Sequence, residues 1–337
     1  MFDFDDSRLE NAEVLADASP LLMNLASSGA RVRREAALAE GQLAALADSD
    51  RPRAVIAYGP EARLLRSVLE PVCPVPFVAW PSLGLPGWVG PLDVVLLIGR
   101  RGPESLAVAY EAVRRGARLI AVCPSDSPLA KQAASRSTTL LPVNTGDPLA
   151  AAVVALVALH RLGLGPATNP DAIAAAMDLV AENCSARTDV SVNPAKAMAL
   201  DLAEAAPLVW GGSVLAARAS RRIVEALRLA SGHIGLSADS ADLVSLIQQV
   251  RPRDPFADPF DEGAAERRPG LVLVDDGLDD EASAEARLRL QRTAEAVDIR
   301  VTRLTHTTDS VMERYATLLL TGLFGAAYLQ IGLGRVA

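Results

Sequence analysis

The chain has few of the residues on which disulfide and metal chemistry depend. Three cysteines and three histidines occur in 337 residues, and Cys73, Cys123 and Cys184 are far apart without a Cys-x-x-Cys pair. We therefore expect neither a disulfide framework nor a zinc site, and we predict a reducing, cytoplasmic setting. Cys73 and Cys123 lie in or beside apolar runs, so we interpret them as core residues rather than nucleophiles.

Sequence motifs for several enzyme classes are also missing. The chain contains no GxGxxG, GxxxxGK[ST], HExxH or GxSxG pattern, so we expect no cofactor and no metal. The acidic run 275–281 lacks the alternating ligand spacing of a calcium loop. We interpret its second half as the start of a helix, where the helix dipole favours carboxylates.

Positive charge is in deficit. The chain has 33 basic and 41 acidic residues, a net charge of −8, so we expect no nucleic-acid partner.

The first six residues are acidic where an export signal would be basic and then apolar, so we expect no export. Residues 315–334 carry no formal charge and could span a bilayer, but Thr317, Thr321 and Gln330 interrupt them. We predict a buried C-terminal helix and no membrane contact.

The N-terminal half alternates short apolar runs with amphipathic stretches. Continuous apolar runs that alternate with helical periods predict a doubly wound parallel sheet flanked by helices. The predicted strands are 54–58, 75–78, 93–98 and 119–122, and the predicted helices are 103–116, 127–135 and 149–162. We assign residues 1–162 to this first α/β domain, which we expect to begin with leading helices.

After a turn-rich segment at 163–169, the C-terminal half again alternates short apolar runs with amphipathic stretches. We assign residues 163–337 to a second α/β domain, and we expect 251–269, rich in proline and charge, to be an exposed loop. The predicted strands are 207–210, 271–274 and 299–302, and the predicted helices are 170–183, 194–204, 213–230 and 281–297.

Several ordered segments resemble one family. Asn193-Pro194-Ala195-Lys196, followed by Pro207-Leu208-Val209-Trp210-Gly211, resembles the "NPAK … PVIYG" passage of bifunctional phosphoglucose/phosphomannose isomerases. Those proteins carry two sugar isomerase (SIS) domains. Similar segments occur, in the family's order, at 85–98, 104–123 and 319–329. The resemblance implies two SIS-type domains, a phosphosugar ligand such as a hexose 6-phosphate, and assembly as a homodimer.

The family's two phosphate loops are altered at the matching positions. The first loop reads Tyr58-Gly59-Pro60-Glu61-Ala62, where proline removes a backbone donor and glutamate repels a dianion. The second loop has lost most of its hydroxyl groups but contains Arg100, Arg101 and Ser105. By resemblance, the candidate substrate-binding residues are Gly59, Arg100, Arg101, Ser105 and Arg218; the two arginines are also explained as solvated loop residues.

Isomerisation between an aldose and a ketose needs a base and a group that opens the sugar ring. Counting from Arg218, the family's catalytic glutamate falls on Glu225, which is otherwise a surface carboxylate paired with a neighbouring arginine. The position of the family's histidine holds none, so His306, or His233, would have to replace it. His306 is therefore the second catalytic candidate.

Three hypotheses follow. The first is a divergent phosphosugar-binding protein of carbohydrate metabolism, a pseudoenzyme whose isomerase activity is weak or lost. The second is an active glucose-6-phosphate/mannose-6-phosphate isomerase that uses Glu225 as its base. The third is a scaffold that binds no sugar. The first predicts a cleft narrowed by side chains such as Tyr58 and Glu61.

Overall fold

The computed structural model describes residues 4–46, 50–81, 84–99, 102–250, 268–278, 280–306, 308 and 310–336. The chain divides into two units, one formed by Ser28–Ala175 and the other by Met1–Ser27 together with Ala176–Ala337. Each unit contains one parallel sheet, so we call them the five-stranded unit and the four-stranded unit. The prediction of an α/β fold with parallel sheets flanked by helices is confirmed.

The boundaries differ from those expected at 162 and 163. Residues 1–27 belong to the four-stranded unit, because the backbone N–H of Asp5 and the guanidinium of Arg8 both donate to the carbonyl oxygen of Gly332. This segment contains a short 3-10 helix and two α-helices: Asp6–Leu9, α1 (Ala12–Asp17) and α2 (Ser19–Ala26).

The five-stranded unit has strand order β2-β1-β3-β4-β5, with all neighbours parallel. Its elements are α3 (Ser28–Ala44), β1 (Val55–Tyr58), α4 (Ala62–Leu69), β2 (Phe77–Ala79), β3 (Val94–Ile98), α5 (Pro103–Arg114), β4 (Arg118–Cys123), α6 (Pro128–Ala133), β5 (Thr138–Pro142) and α7 (Pro148–Arg161). Helices α3, α4 and α7 pack on one face and α5 and α6 on the other. Every residue of β1 and β3 is buried, as expected for strands covered on both faces.

Helix α8 (Pro170–Asn183) contains the boundary between the units. The four-stranded sheet that follows has order β7-β6-β8-β9, again with all neighbours parallel. Its elements are α9 (Pro194–Asp201), β6 (Ala206–Gly211), α10 (Val214–Ser231), β7 (Leu236–Ser237), α11 (Ser240–Gln248), β8 (Pro269–Asp275), α12 (Glu281–Glu295), β9 (Val301–Thr305) and α13 (Val311–Gly332). Strands β5 and β7 and helices α4 and α11 were not predicted, and residues 251–267 of the expected loop lie outside the described residues.

Helix α13 is long and apolar enough to cross a membrane, the single such helix in the described part of the chain. It packs against α9 and α10 within the four-stranded unit, and 83% of its most apolar window is buried there. The prediction of a buried C-terminal helix is confirmed. Its Tyr328 hydroxyl donates to the carbonyl oxygen of Cys184 (2.8 Å), and the ammonium of buried Lys196 lies 5.6 Å from the Tyr328 ring.

Candidate functional site

The carboxyl ends of the five-stranded sheet form a pocket. In open parallel sheets, ligands bind beyond the carboxyl ends of the strands, where the strand order reverses. In this sheet the order reverses between β1 and β3. The pocket, of about 70 Å³, lies at this edge and is lined by Pro60, Glu61, Ile98, Gly99, Pro124, Val143, Gly146, Asp147, Pro148 and Ala151. Pockets that hold drug-sized ligands typically have volumes of roughly 300–1,000 Å³, so this one is small.

Gly59 is required where β1 ends. Its φ is +130°, and a Cβ atom there would lie 2.2 Å from the carbonyl oxygen of Ile98. Only glycine allows this backbone conformation and this close approach to β3. Gly59 therefore brings the turn Pro60–Glu61 against the end of β3, where both residues line the pocket.

Two carboxyl side chains line this pocket, and one of them is paired with an arginine. Glu61 is buried, and Asp147 forms an ion pair with Arg31 (2.7 Å) while it caps α7 by accepting from the backbone N–H groups of Leu149 and Ala150. The N-terminus of α7, a place that favours anions, is thus already occupied by a protein carboxylate. A phosphate dianion in the pocket would meet Glu61 and the Asp147–Arg31 ion pair.

A third carboxylate holds the loop between β5 and α7. Glu35 on α3 is fully buried, and its carboxylate accepts from the backbone N–H groups of Asn144 (2.9 Å) and Thr145 (2.5 Å). These N–H groups are therefore satisfied within the chain. Neither Glu35 nor Asp147 was predicted as a site residue, although Asp147-Pro148 before an apolar run is a recognisable helix start.

A second polar cluster lies on the α5 side of the same edge. The hydroxyl of Tyr58 donates to the carboxylate of Glu104 (3.2 Å) in the first turn of α5. Ser105 is 2% exposed, and its Oγ has no hydrogen-bond partner among the described residues; the same is true of the buried Nε1 of Trp80, which follows β2. Arg100 and Arg101 lie outside the described residues.

The four-stranded unit has its own polar cluster at the carboxyl ends of β6, β8 and β9. Ser213 caps α10 by accepting from Ala216 N–H (3.0 Å), and its hydroxyl donates to the carboxylate of Asp276. Asp276 is 5% exposed, and its carbonyl oxygen accepts from Arg314. The N-terminus of α10, like that of α7, thus lies beside a protein carboxylate.

His306 belongs to this cluster. A Cβ atom on Gly277 would lie 2.6 Å from His306 Nε2, so the imidazole packs against the glycine backbone that follows Asp276. His306 Nδ1 accepts from the N–H of Thr308 (3.2 Å).

Glu225 is distant from His306 within the four-stranded unit. It lies 12 residues beyond Ser213, which places it about 18 Å along α10 from the edge that contains His306. Its side chain is 53% exposed, and its carboxylate is 3.9 Å from Arg222 Nε. The half-buried Arg218 lies between the two positions on α10. The structure therefore does not bring the candidate base and the candidate ring-opening histidine together within this unit.

The buried thiols are unsuited to nucleophilic chemistry. Burial raises the pKa of Cys184 to about 12, and burial likewise raises the pKa of Cys123. Both thiols therefore stay protonated at neutral pH, and all three cysteines are free. Among the described residues no group of three or more metal-ligating side chains occurs.

Part of the chain resembles a known family in sequence, and nearly all of it resembles known structures. Residues 191–335 match the family model described as the bacterial phospho-glucose isomerase C-terminal SIS domain. No curated protein sequence matches the chain. A glucose-6-phosphate isomerase like protein from Thermus thermophilus is similar in structure, with a TM-score of 0.53 and 17% identity over 89% of this chain and 92% of that one.

The fold is that of the SIS-domain proteins. Two further structures agree. The C-terminal domain of glucosamine-fructose-6-phosphate aminotransferase from Francisella tularensis has a TM-score of 0.62 and 10% identity over 93% of this chain and 96% of that one. Tagatose-6-phosphate ketose/aldose isomerase from Escherichia coli has a TM-score of 0.57 and 12% identity over 94% of this chain and 92% of that one. The SIS-type architecture predicted from the sequence is confirmed, and the closer resemblance to bifunctional phosphoglucose/phosphomannose isomerases stays a prediction.

Proposed function

We propose that this SIS-domain protein binds a phosphorylated sugar and does not isomerise it. An aldose–ketose isomerase needs its base and its ring-opening acid on the same substrate. His306 lies at the carboxyl edge of the sheet, where α10 begins, whereas Glu225 lies about 18 Å along that helix and is solvent-exposed beside Arg222. This separation is the observation that carries the proposal.

The charges at the two sheet edges favour weak binding of the phosphate group and so support the absence of turnover. Glu61 and Asp147 line the pocket of the five-stranded unit, and Asp276 lies at the N-terminus of α10. Preorganised donors in these places would stabilise an anion, whereas carboxylates weaken its binding. We include assembly as a homodimer and a cytoplasmic location in this proposal.

A second candidate function is an active hexose-6-phosphate isomerase. One observation favours it: His306 lies at the carboxyl edge of its sheet beside Asp276 and Gly277, where parallel sheets carry their sites. In that case His306 opens the ring and Glu225 moves the proton.

Calorimetric titration and a coupled isomerase assay on one preparation separate these functions. We expect fructose 6-phosphate, glucose 6-phosphate or mannose 6-phosphate to bind without turnover. Turnover that disappears in Glu225→Gln and persists in Glu182→Gln, a matched change on α8, would establish the isomerase instead. The absence of both binding and turnover would leave the scaffold hypothesis.

A further inference from the structure

The sheet of the four-stranded unit ends at an open edge strand, β9. Its strand order, β7-β6-β8-β9, follows that of the other sheet, β2-β1-β3-β4-β5, but the described residues contain no counterpart of the fifth strand. In the five-stranded unit α6 and β5 follow β4, whereas in the four-stranded unit α13 follows β9 directly. Strand β9 therefore pairs with β8 alone.

The register shows which backbone groups of β9 face the open side. Leu271 on β8 is aligned with Val301, and the Leu271 N–H donates to the carbonyl oxygen of residue 300 (2.9 Å). In a parallel pair with this register, residues 302 and 304 direct their N–H and C=O groups to β8. The N–H and C=O groups of three residues point to the open side instead: Val301, Arg303 and Thr305. None of these groups has a hydrogen-bond partner among the described residues.

Charged side chains, which commonly guard open sheet edges, leave this edge uncovered. Arg303 Nε donates to the carboxylate of Asp275 on β8 (2.8 Å), and Arg300 Nη1 donates to the carbonyl oxygen of Leu200 on α9 (3.3 Å). Both guanidinium groups are thus held against the unit instead of projecting beyond β9. Strand β9 also contains no proline, the other residue that commonly blocks an edge.

The charges beside the edge favour an acidic occupant. Arg303 on β9 and Arg287 on α12 share the single carboxylate of Asp275. Two guanidinium groups therefore face one carboxylate, which leaves one positive charge unbalanced. The side chain of Arg303 is 53% exposed, so a carboxylate on an added strand can pair with it.

We propose that the open edge of β9 binds an extended segment of a partner protein, which adds as a fifth strand and places a carboxylate opposite Arg303. The outward backbone groups supply the hydrogen bonds of strand addition, and the carboxylate supplies the selectivity. A second copy of this chain fits less well. Antiparallel pairing of two β9 strands that uses all three outward residues places two copies of Arg303 opposite each other, which is destabilising. This inference does not depend on sugar binding.

Amide exchange of the full-length chain, resolved residue by residue, tests the proposal. The probes are two blocked heptapeptides of alternating threonine and valine, one with a central glutamate and one with a central lysine. Without peptide, the amides of residues 301, 303 and 305 should exchange faster than those of residues 302 and 304. The glutamate peptide should slow the three outward amides and should bind about tenfold more tightly than the lysine peptide, the value of one charge-assisted hydrogen bond.

Two substitutions at residue 305 form a matched pair. Thr305→Pro removes an outward N–H and leaves the ladder to β8 intact, because prolines are tolerated on the open side of edge strands. We expect it to abolish peptide binding with little change in melting temperature, and we expect Thr305→Val, which keeps the N–H, to bind as the wild type does. Arg303→Gln, which keeps every backbone group, should bind the two peptides equally.

Three results would overturn the proposal. If neither peptide slows the outward amides, or if Thr305→Pro retains binding while Arg303→Gln keeps the preference for glutamate, the β9 edge is not the binding surface. Equal binding of both peptides by the wild type would contradict an acidic partner. A dimer in sedimentation velocity that Thr305→Pro dissociates would show that a second copy occupies the edge.

Discussion

At the scale of single residues, Asp275 shows how the four-stranded unit stabilises charge at its edge. Its carboxylate accepts from Arg303 Nε (2.8 Å) and from Gly277 N–H (3.1 Å), and it lies 3.2 Å from Arg287 Nη1. Burial by itself raises the pKa of this carboxyl. The hydrogen bonds from Arg303 and Gly277 and the charges of Arg287 and Arg303 outweigh that effect, so the pKa is below its usual value.

A pKa that is lower in the folded state makes stability depend on pH. The unfolded chain takes up the proton first, near the ordinary aspartate value of about 3.9. The stabilisation by Asp275 is therefore complete above that value and is lost as the pH falls through the folded pKa. Asp275→Asn should lower the free energy of unfolding by about 1–3 kcal/mol at pH 7. The difference from wild type should shrink progressively below about pH 4.

Urea unfolding between pH 3 and pH 7 measures this difference. In a Trp80→Phe, Trp88→Phe background, Trp210 on β6 is the remaining tryptophan and reports on the four-stranded unit. Asp126→Asn, an exposed carboxylate of the other unit, is the control and should leave the Trp210 transition unchanged. An equal loss of stability at pH 3 and pH 7 in Asp275→Asn would contradict the electrostatic explanation.

At the scale of elements, the turn from β1 into α4 depends on one glycine. Gly59 has a φ of +130°, and a Cβ atom there would lie 2.2 Å from Ile98 O. Gly59→Ala should therefore destabilise the five-stranded unit by about 3 kcal/mol or more, through backbone strain and the displacement of β3. The pocket lined by Pro60 and Glu61 should change with it.

Gly41 provides the matched substitution in the same unit. It lies within helix α3, and a Cβ atom there meets nothing within 4 Å. Gly41→Ala should therefore raise the free energy of unfolding of the five-stranded unit by roughly 0.5–1 kcal/mol. Urea unfolding of the two variants is followed in a Trp210→Phe background. The fluorescence of Trp80 and Trp88 then reports the stability of the five-stranded unit in each variant. Equal effects of the two substitutions would show that the β1–α4 turn tolerates a side chain.

At the scale of the whole molecule, the first 27 residues belong to the four-stranded unit, whose other residues, 176–337, are distant from them in the sequence. Asp5 N–H and Arg8 donate to Gly332 O, and the Val190 N–H donates to the Glu10 carboxylate (3.3 Å). Removal of residues 1–27 should therefore raise amide exchange at the end of α13 and around residue 190. Exchange in β1, β3 and β4 should stay at the wild-type level, because those strands have their own core.

Hydrogen–deuterium exchange with mass spectrometry, on the full chain and on the truncated chain, checks this expectation. Peptides from 94–98 and 118–123 report on the five-stranded core, and peptides from 186–193 and 328–336 report on the contacts of the N-terminal segment. Faster exchange in the five-stranded core alone would contradict the assignment of residues 1–27 to the four-stranded unit.

Local pattern was sufficient to predict most elements. The continuous apolar runs at 94–98 and 271–274 form strands, because a strand that is covered on both faces can be apolar at every position. Helix 170–183 begins at a proline that follows an asparagine, which is a common helix start. Strand β5 was missed because Thr138 and Thr139 break the apolar run, and β7 is two residues long. Hydrophobic periodicity does not identify strands that are this short or that begin with polar residues.

The sequence by itself determined the parallel α/β architecture and the buried C-terminal helix. Only the tertiary structure decided which groups meet. It put Asp147 in the pocket with Glu61, Trp80 beside Tyr58, and Glu225 far along α10 from the edge that holds His306. The reason is physical: strand order and register bring together residues distant in the chain, and the spacing of residues along a sequence does not encode that order.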